Sequence, residues 1–599
     1  MSAKPTPEPP QPDFQRIAED MRQLMQRNQE MFTAAFSAPG DVMRKLDPLN
    51  VGGTLAEAGK TMYFDPAKLM QANIELWQQH MQLWQSATQR LMGQAAAPVA
   101  KPEKGDRRFR DPEWDTNPLF DFIKQSYLIT SRWLVGTMSA VQGVDDKTAR
   151  KIDFYTRQFA DAFAPSNFPL TNPEVLRATI ESQGENLARG FENFRRDLEK
   201  GQGQLQITMT DPGAFELGRN IAVTPGKVVY QNDVLQLIQY SPTTAEVHER
   251  PLLIVPPWIN KYYILDLTPE KSFVRWAVER GYTVFVVSWV NPDARLGAKT
   301  FDDYLTEGVL GAVDAVTRAT GVSEMNVIGY CIGGTLLAAA LACMAARDDT
   351  RIRSATFFAT QVDFSDPGDL QVFIDEQQLE NLDQMMEEKG YLEGQAMFAT
   401  FNMLRANDLI WSFYVNNYLL GKDPVPFDLL YWNADATRMP RNCHLFYLRE
   451  MYLRNSLVKP GALTLAGVPV DLTKVTIPIY LLASREDHIA PYASVFKACH
   501  HYSGPVRFVL AGSGHIAGVI NPPSQGKYQH WINEKHAGQV GELEDWLGGA
   551  TEHPGSWWPD WDAWLAPQSG PMVPARVPGA GALPALEDAP GSYVTARSS

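Results

Sequence analysis

The stretch VIGYCIGGT, residues 327–335, constrains the fold more than any other part of the chain. An apolar run leads into a turn at Cys331, which is bracketed as Gly329-Tyr330-Cys331-Ile332-Gly333. The pattern G-x-S-x-G is typical of a strained strand-to-helix turn that exposes a nucleophile, and here a thiol stands in the serine position. The stretch therefore predicts a strand, a tight turn and a helix, with Cys331 at the crest of the turn as the catalytic nucleophile.

Short apolar runs alternate with helical patterns on both sides of this turn. Continuous apolar runs of this length are typical of strands buried in a parallel sheet. They include PLLIVPP (251–257), TVFVVSW (283–289), SATFFATQVDF (354–364), IPIYLLAS (477–484) and VRFVLAG (506–512). The alternation predicts an α/β fold with a doubly wound parallel sheet. A long stretch at about 365–470 breaks it, and we expect a helix-rich insertion there.

Two further candidates for catalysis follow the last two predicted strands. Asp487 lies in SREDHIAP, and His515 lies in GSGHIAG. The order nucleophile, acid and histidine is that of the α/β-hydrolase fold, in which such side chains meet at the carboxyl ends of the strands. We therefore predict an α/β-hydrolase fold with a catalytic triad of Cys331, Asp487 and His515, in which His515 accepts the Cys331 proton.

The triad has alternatives within the sequence. Asp363, which ends the preceding strand, and Glu486 compete with Asp487 for the acid position, and Cys331 could instead be a small buried apolar residue. We favour Asp487 because the acid of this fold usually follows the penultimate strand. The three other cysteines lie in or beside apolar segments without glycine brackets, so we expect structural roles for Cys343, Cys443 and Cys499.

An oxyanion hole requires two N–H donors near the nucleophile. The backbone N–H of Ile332 is the natural first donor, and the second should come from the loop after PLLIVPP. Pro256 and Pro257 have no N–H, which leaves Trp258 or Ile259. The sequence does not decide between these two, and we take Ile259 as the working candidate.

Composition excludes several classes of protein. The net charge of −15 argues against general nucleic-acid binding, and four cysteines in 599 residues are no disulfide framework. We find no secretory signal, no membrane-spanning run, no metal-ligand motif and no phosphate-binding glycine loop, so we expect no metal and no cofactor. The simplest expectation is a cytoplasmic enzyme.

The pattern along the chain predicts four regions. We expect a Pro-rich disordered tail over 1–13, an all-helical N-terminal domain over 14–205, a catalytic domain over 206–566 and a flexible tail over 567–599. The N-terminal domain contains a helix that begins at Asp65-Pro66 and carries an apolar stripe on one face, with Met70, Ile74, Trp77, Met81, Trp84 and Leu91. Such a stripe more often packs between helices than docks on a partner.

Several long motifs together resemble the polyhydroxyalkanoate synthases, in particular the class I, single-subunit type. They are PPWINKYYILDL (256–267), VSWVNPD (287–293), GYCIGGT, SREDHIAPY, SGHIAGVINPP (513–523) and GSWWPDWDAWL near the C-terminus. The resemblance implies that (R)-3-hydroxyacyl-CoA, usually 3-hydroxybutyryl-CoA, is polymerised on Cys331, with Asp487 and His515 assisting.

The resemblance also implies a lid formed by the insertion after Asp363. It further implies a homodimer that works at the surface of a polyester granule, with the growing polyester chain and granule-coating proteins as partners. Two rival functions are a cysteine-dependent thioesterase of the same fold and a non-catalytic granule-binding protein.

Overall fold

The computed structural model describes residues 61–597 apart from Gln204 and His536. The tail predicted over 1–13 and the beginning of the predicted helical domain lie outside the described residues. The chain divides into two compact units. The first comprises residues up to Met209 together with Arg405–Val425, and the second comprises Thr210–Leu404 together with the residues from Pro426 onward.

The first unit is helical, as predicted. Its α-helices are Pro66–Leu91, Glu113–Thr116, Pro118–Ser139, Asp146–Ala162, Pro173–Glu181 and Glu185–Lys200. The helix Pro66–Leu91 begins where the sequence predicts, because the side chain of Asp65 accepts a hydrogen bond from the Ala67 N–H at 2.9 Å. The apolar stripe of this helix is exposed, with 64% of Trp77 and 60% of Trp84 accessible to solvent.

The segment Arg405–Val425 belongs to the helical unit, although the sequence places it inside the predicted lid. It contains two π-helical turns, Asn407–Trp411 and Tyr414–Leu419. The Tyr418 hydroxyl donates to Asp197 at 2.5 Å, and the Asn193 side chain donates to the Asn417 carbonyl at 3.1 Å. Gly190 allows this approach, since a Cβ there would overlap the Tyr418 carbonyl. The lid prediction therefore joined two segments that pack in different units.

The second unit is built on a large sheet. The strands of the described chain are β1 (Gly226–Gln231), β2 (Leu235–Tyr240), β3 (Glu246–His248), β4 (Leu252–Val255), β5 (Val284–Trp289), β6 (Met325–Tyr330), β7 (Ile352–Phe358), β8 (Tyr391–Leu392), β9 (Met439–Pro440), β10 (Thr464–Leu465), β11 (Val468–Pro469), β12 (Ile479–Ser484), β13 (Val506–Ala511), β14 (Gln529–Ile532), β15 (Thr551–Pro554), β16 (Met572–Pro574) and β17 (Glu587–Asp588). Eleven of them form one sheet in the order β15-β14-β13-β12-β7-β6-β4-β5-β2-β1-β17.

The centre of this sheet is parallel and its flanks are antiparallel. Strands β5, β4, β6, β7, β12 and β13 run parallel, whereas β2 and β14 pair antiparallel on either side. Strands β4, β5, β6 and β12 are buried throughout, and alternate residues of β4 enter the two hydrophobic cores on opposite faces of the sheet. The predicted parallel sheet is thus confirmed at its centre, and the carboxyl ends of its strands lie at one edge.

Helices cover both faces of the sheet. The α-helices of the second unit are Phe273–Glu279, Phe301–Asp303, Gly311–Thr320, Ile332–Ala345, Glu376–Glu387, Gly394–Leu404, Asp428–Ala434, Arg441–Tyr447, Tyr492–Lys497, Leu543–Gly548 and Trp558–Leu565. Two π-helical stretches, Tyr304–Leu310 and Leu448–Leu453, continue neighbouring α-helices. Such π-turns often occur at functional sites.

The tail beyond residue 566 is ordered, so the prediction of a flexible tail is wrong. Strand β16 pairs with β3, and β17 extends the large sheet by pairing with β1. Farther on, the Tyr593 hydroxyl donates to the Asn232 carbonyl at 2.7 Å. Pro, Gly and Ala make an isolated segment flexible, but here the backbone groups of the tail are paired with strand edges of the folded unit.

Candidate active site

The turn at Cys331 has the geometry that the sequence predicts. Strand β6 ends at Tyr330 and the elbow helix, Ile332–Ala345, follows Cys331 directly. Cys331 itself has φ +51° and ψ −126°, a conformation that costs a non-glycine residue about 1–3 kcal/mol. A Cβ at Gly329 would overlap the Cα of Gly334, and one at Gly333 would overlap the Pro256 carbonyl. The glycines therefore permit the close packing that holds Cys331 in this strained position.

Cys331 differs from the three other cysteines in exposure. It is half-buried, whereas Cys343, Cys443 and Cys499 are buried. Burial raises the pKa of Cys343 to about 11 and raises the pKa values of Cys443 and Cys499 further. A thiol must lose its proton to act as a nucleophile, so these three are poorly suited to catalysis.

His515 and Asp487 are adjacent at the carboxyl ends of their strands. The Nδ1 atom of His515 lies 2.6 Å from Oδ2 of Asp487. The other carboxylate oxygen accepts hydrogen bonds from the backbone N–H groups of Ile489 and Ala490 at 2.8 and 2.9 Å. An ionised carboxylate only accepts, so Nδ1 carries a hydrogen and Nε2 is left to face a reacting group.

Cys331 completes this row of side chains, because its sulfur lies close enough to His515 to affect the protonation of the imidazole. Burial opposes protonation of His515, but the Asp487 carboxylate and the Cys331 sulfur outweigh burial and raise the pKa of His515 well above its usual value. The ring is also positioned through its backbone, since the Tyr330 hydroxyl donates to the His515 carbonyl at 3.1 Å. The arrangement suits transfer of a proton from sulfur to imidazole.

Asp363, the alternative acid, contacts a different histidine. Its carboxylate lies 2.9 Å from Nε2 of His501 and accepts from the Asn455 side chain at 3.0 Å. Hydrogen bonds from His501, Ser365 and Asn455 outweigh burial and hold the pKa of Asp363 well below its usual range. The structure thus brings Asp487, and not Asp363, to His515.

The loop after β4 lies beside the elbow. Val255, the last residue of β4, pairs with Gly329 of β6, and the Pro256 backbone packs against Gly333. Trp258 is buried and Ile259 is half-buried. Both candidate N–H groups therefore follow the strand that neighbours Cys331, and the N–H of Ile332 lies at the start of the elbow helix.

Two tyrosines that sequence reasoning missed also lie near Cys331. Tyr447 and Tyr452 have ring centroids 5.7 Å apart, and both phenols lie close enough to each other and to Cys331 to interact electrostatically. Burial raises the pKa values of both phenols, and their proximity to Cys331 raises these values further, so both hydroxyls keep their protons and can donate. They lie five residues apart, and the π-helical stretch Leu448–Leu453 sets their relative placement. No spacing rule based on 3.6 residues per turn would pair them.

Among the described residues, no group of three or more His, Cys, Asp or Glu side chains is placed to hold a metal ion. In the same part of the chain, no helix has the length and apolar composition needed to cross a bilayer.

Comparison with known proteins identifies the family. The family profile described as "Poly-beta-hydroxybutyrate polymerase (PhaC) N-terminus" matches residues 105–277, and the profile "alpha/beta hydrolase fold" matches residues 252–522. A poly(3-hydroxyalkanoate) polymerase of Methylorubrum extorquens is 50% identical over 598 residues, covering 98% of both chains. The chain belongs to the poly(3-hydroxyalkanoate) polymerase family. The resemblance noted in the sequence and the α/β-hydrolase fold are thereby confirmed.

Other poly(3-hydroxyalkanoate) polymerases agree over most of their length. The Rhizobium meliloti polymerase subunit is 49% identical over 569 residues, covering 94% of this chain and 92% of its own. The Cupriavidus necator subunit is 45% identical over 539 residues, covering 89% of each chain. Both matches extend well beyond the α/β-hydrolase region, so they include most of the helical unit.

Proposed function

We propose that this enzyme polymerises (R)-3-hydroxyacyl-CoA into polyhydroxyalkanoate through a covalent acyl-Cys331 intermediate and releases CoA. The single observation that carries the proposal is the coupled row of Cys331, His515 and Asp487, in a chain of the poly(3-hydroxyalkanoate) polymerase family. The family type favours short acyl chains, with 3-hydroxybutyryl-CoA as the usual substrate.

In the first step Cys331 attacks the thioester carbonyl of the substrate. His515 takes the thiol proton, a carbon–sulfur bond forms to Cys331, and the bond to the sulfur of CoA breaks. His515 then returns its proton to the departing thiolate, so that CoA leaves as a thiol. The N–H groups of Ile332 and Ile259 hold the oxyanion of the tetrahedral intermediate.

In the second step a hydroxyl of another 3-hydroxyacyl unit attacks the acyl-Cys331 carbonyl. An ester bond forms, the bond to Cys331 breaks, and the hydroxyl proton passes to the base and then to the sulfur. Both oxygens of Asp487 already accept hydrogen bonds, one from His515 and one from two backbone N–H groups. This occupancy favours His515, whose Nε2 is available, as the base for elongation.

Sulfur suits this chemistry better than oxygen would. Exchange of the CoA thioester for a thioester on Cys331 is nearly balanced in free energy, so the acyl group stays activated. Ester formation with the next hydroxyl is then favourable. A serine at this position would form an ester in the first step and would lose that driving force.

Polymerisation also requires that water does not intercept the acyl enzyme. Aromatic side chains cluster around the two tyrosines near Cys331, where the ring of Phe364 is 4.9 Å from that of Tyr452 and 6.0 Å from that of Tyr447. The helix-rich segment that supplies the two tyrosines serves as a lid in this proposal.

The proposed polymerase function also implies a location and partners for the enzyme. We place the enzyme in the cytoplasm at the surface of the polyester granule, as a homodimer. The exposed apolar side chains of Met70, Trp77 and Trp84 support contact with the polyester or with granule-coating proteins. Light scattering on the purified enzyme would test the dimer.

The deciding experiment follows CoA release and the fate of the acyl group together. Purified protein is incubated with (R)-3-hydroxybutyryl-CoA, with Cys331→Ala as the inactive control. CoA release with insoluble polyester supports the proposal. Release with only free 3-hydroxybutyrate would make the enzyme a thioesterase, and unchanged polymer formation by Cys331→Ala would refute the covalent mechanism.

A further inference from the structure

We propose that Thr437 is a positioning residue of the oxyanion hole, and that it acts by holding the peptide plane whose N–H belongs to Ile259. The inference rests on the proposed acyl transfer to Cys331 and deepens it. It also decides between the two N–H groups, those of Trp258 and Ile259, that the sequence left open.

Thr437 contacts the loop at the relevant peptide. Its hydroxyl donates to the carbonyl of Trp258 at 2.6 Å, in a buried environment. The carbonyl of Trp258 and the N–H of Ile259 belong to one planar trans peptide, in which the two groups point in opposite directions. A bond that holds the carbonyl therefore also sets the direction of the Ile259 N–H.

That N–H is available for a ligand. In the described part of the chain, the Ile259 N–H donates no hydrogen bond to a protein group. Ile259 is half-buried, and its loop follows the strand beside the Cys331 turn. The Trp258 N–H belongs instead to the Pro257–Trp258 peptide, whose carbonyl receives no side-chain hydrogen bond among the described residues. Only one of the two candidate planes is thus held from outside the loop.

Contacts from residues near Thr437 hold the rest of the loop. The Trp432 indole donates to the Lys261 carbonyl at 2.7 Å, and Asn260 forms an antiparallel bridge with Ala436. The Lys261 ammonium lies 2.7 Å from the Asp435 carboxylate, with only 3% and 8% of the two side chains exposed. The segment Trp432–Thr437 therefore holds the loop after β4 at several points between Trp258 and Lys261.

The contact is expected to matter for rate and not for substrate binding. An oxyanion donor acts mainly on the tetrahedral intermediate, so its misplacement lowers kcat more than it changes KM. Displacing a preorganised group by about 1 Å can cost about 100-fold. For Thr437→Val, which keeps the shape and removes the hydroxyl, we expect acylation to slow by about 10- to 100-fold.

The test compares two reactions of the same sulfur in the full-length enzyme. Acylation is measured as single-turnover CoA release from (R)-3-hydroxybutyryl-CoA. Alkylation of Cys331 by iodoacetamide is measured by mass spectrometry, and this displacement at saturated carbon forms no oxyanion. Thr437→Val should slow acylation and leave alkylation and Tm close to wild type, whereas Thr437→Ser should retain acylation within about threefold.

Trp432→Phe and Trp558→Phe form a matched pair of further variants. Each removes a buried indole N–H that donates to a backbone carbonyl, since Trp558 donates to Val519 at 3.0 Å. We expect slowed acylation only for Trp432→Phe. Acylation by Thr437→Val within threefold of wild type, or an equal loss of acylation and alkylation, would overturn the inference. A wild-type enzyme that stays active after Cys331 is alkylated would instead refute the proposed function.

Discussion

Replacing Asp487 by Asn should stop acyl transfer by trapping His515 in the wrong tautomer. The backbone N–H groups of Ile489 and Ala490 bind one carboxylate oxygen at 2.8 and 2.9 Å, and these donors will hold the amide oxygen of Asn in the same place. The amide NH₂ must then face Nδ1 of His515, where Oδ2 now lies at 2.6 Å. Because Nδ1 must now accept a hydrogen bond from this NH₂, the neutral ring carries its hydrogen on Nε2. Nε2 can then no longer accept the Cys331 proton.

The size of the effect follows from the bonds that change. In the productive tautomer the Nδ1 hydrogen of His515 would face the amide NH₂ of the variant, and two buried donors without an acceptor cost about 1–3 kcal/mol. The variant also loses the charge-assisted hydrogen bond between His515 and the carboxylate, which contributes about 1.5–3 kcal/mol. A total of about 2.5–6 kcal/mol corresponds to a loss of about 10²- to 10⁴-fold in rate. The same substitution in serine proteases costs about 10⁴-fold.

The assay uses single-turnover CoA release and alkylation of Cys331 by iodoacetamide. Both should slow in Asp487→Asn, because thiolate formation depends on His515 accepting a proton. Asp363→Asn is the matched control, since it changes a second carboxylate that pairs with a histidine at 2.9 Å. We expect that control to lower Tm while acylation stays within about fivefold of wild type. Acylation by Asp487→Asn within tenfold of wild type would refute the tautomer argument.

Three further predictions concern the fold around the site. Gly333→Ala places a methyl group against a backbone carbonyl, and overpacking of about 1–3 kcal/mol should lower Tm by a few degrees and CoA release at least tenfold; unchanged values would contradict the packing argument. Burial lowers the pKa of His444 to about 4, so its neutral form contributes stability that is present above about pH 6.5 and is lost as pH falls towards 4. In His444→Leu the free energy of unfolding should fall less over that pH range, by up to about 3 kcal/mol, and Tm should therefore fall less as well. The variant His500→Leu changes an exposed histidine and should follow wild type. Deleting residues 587–599 removes β17 and the hydrogen bond from Tyr593, and we expect Tm to fall by several degrees, whereas a freely flexible tail would leave it unchanged.

The positions of Cys331, Asp487 and His515 in the fold could be predicted because the signals for them are local. Strand β6, the glycines around Cys331 and the helix that follows are contiguous in the chain, and backbone crowding alone requires small residues there. Asp487 and His515 each follow a continuous apolar run, and the carboxyl ends of parallel strands meet at one edge. The three positions could therefore be assigned before any contact between them was known.

The role of Thr437, the place of Arg405–Val425 and the order of the C-terminal tail could not be predicted, because they depend on contacts between residues distant in the chain. Thr437 and Trp258 are 179 residues apart, and no local pattern marks a threonine hydroxyl that reaches one carbonyl. The assignment of Arg405–Val425 to the helical unit depends on partners such as Asp197, which lies 221 residues before Tyr418. The prediction of a flexible C-terminal tail failed for a similar reason. Composition indicates how flexible a free segment would be, but it does not reveal the strand edges with which this segment pairs.

The division of the chain into units has a consequence for synthesis. The helical unit contains residues up to Met209 and also Arg405–Val425, which leave the ribosome about two hundred residues later. Nascent chains usually fold domain by domain from the N-terminus. Here the first unit cannot complete its packing until most of the large sheet has been made, because Tyr418 and Asn417, which pair with Asp197 and Asn193, lie in the later segment. A fragment that stops at Met209 would lack part of its own core, so the two units are best expressed together as one continuous polypeptide.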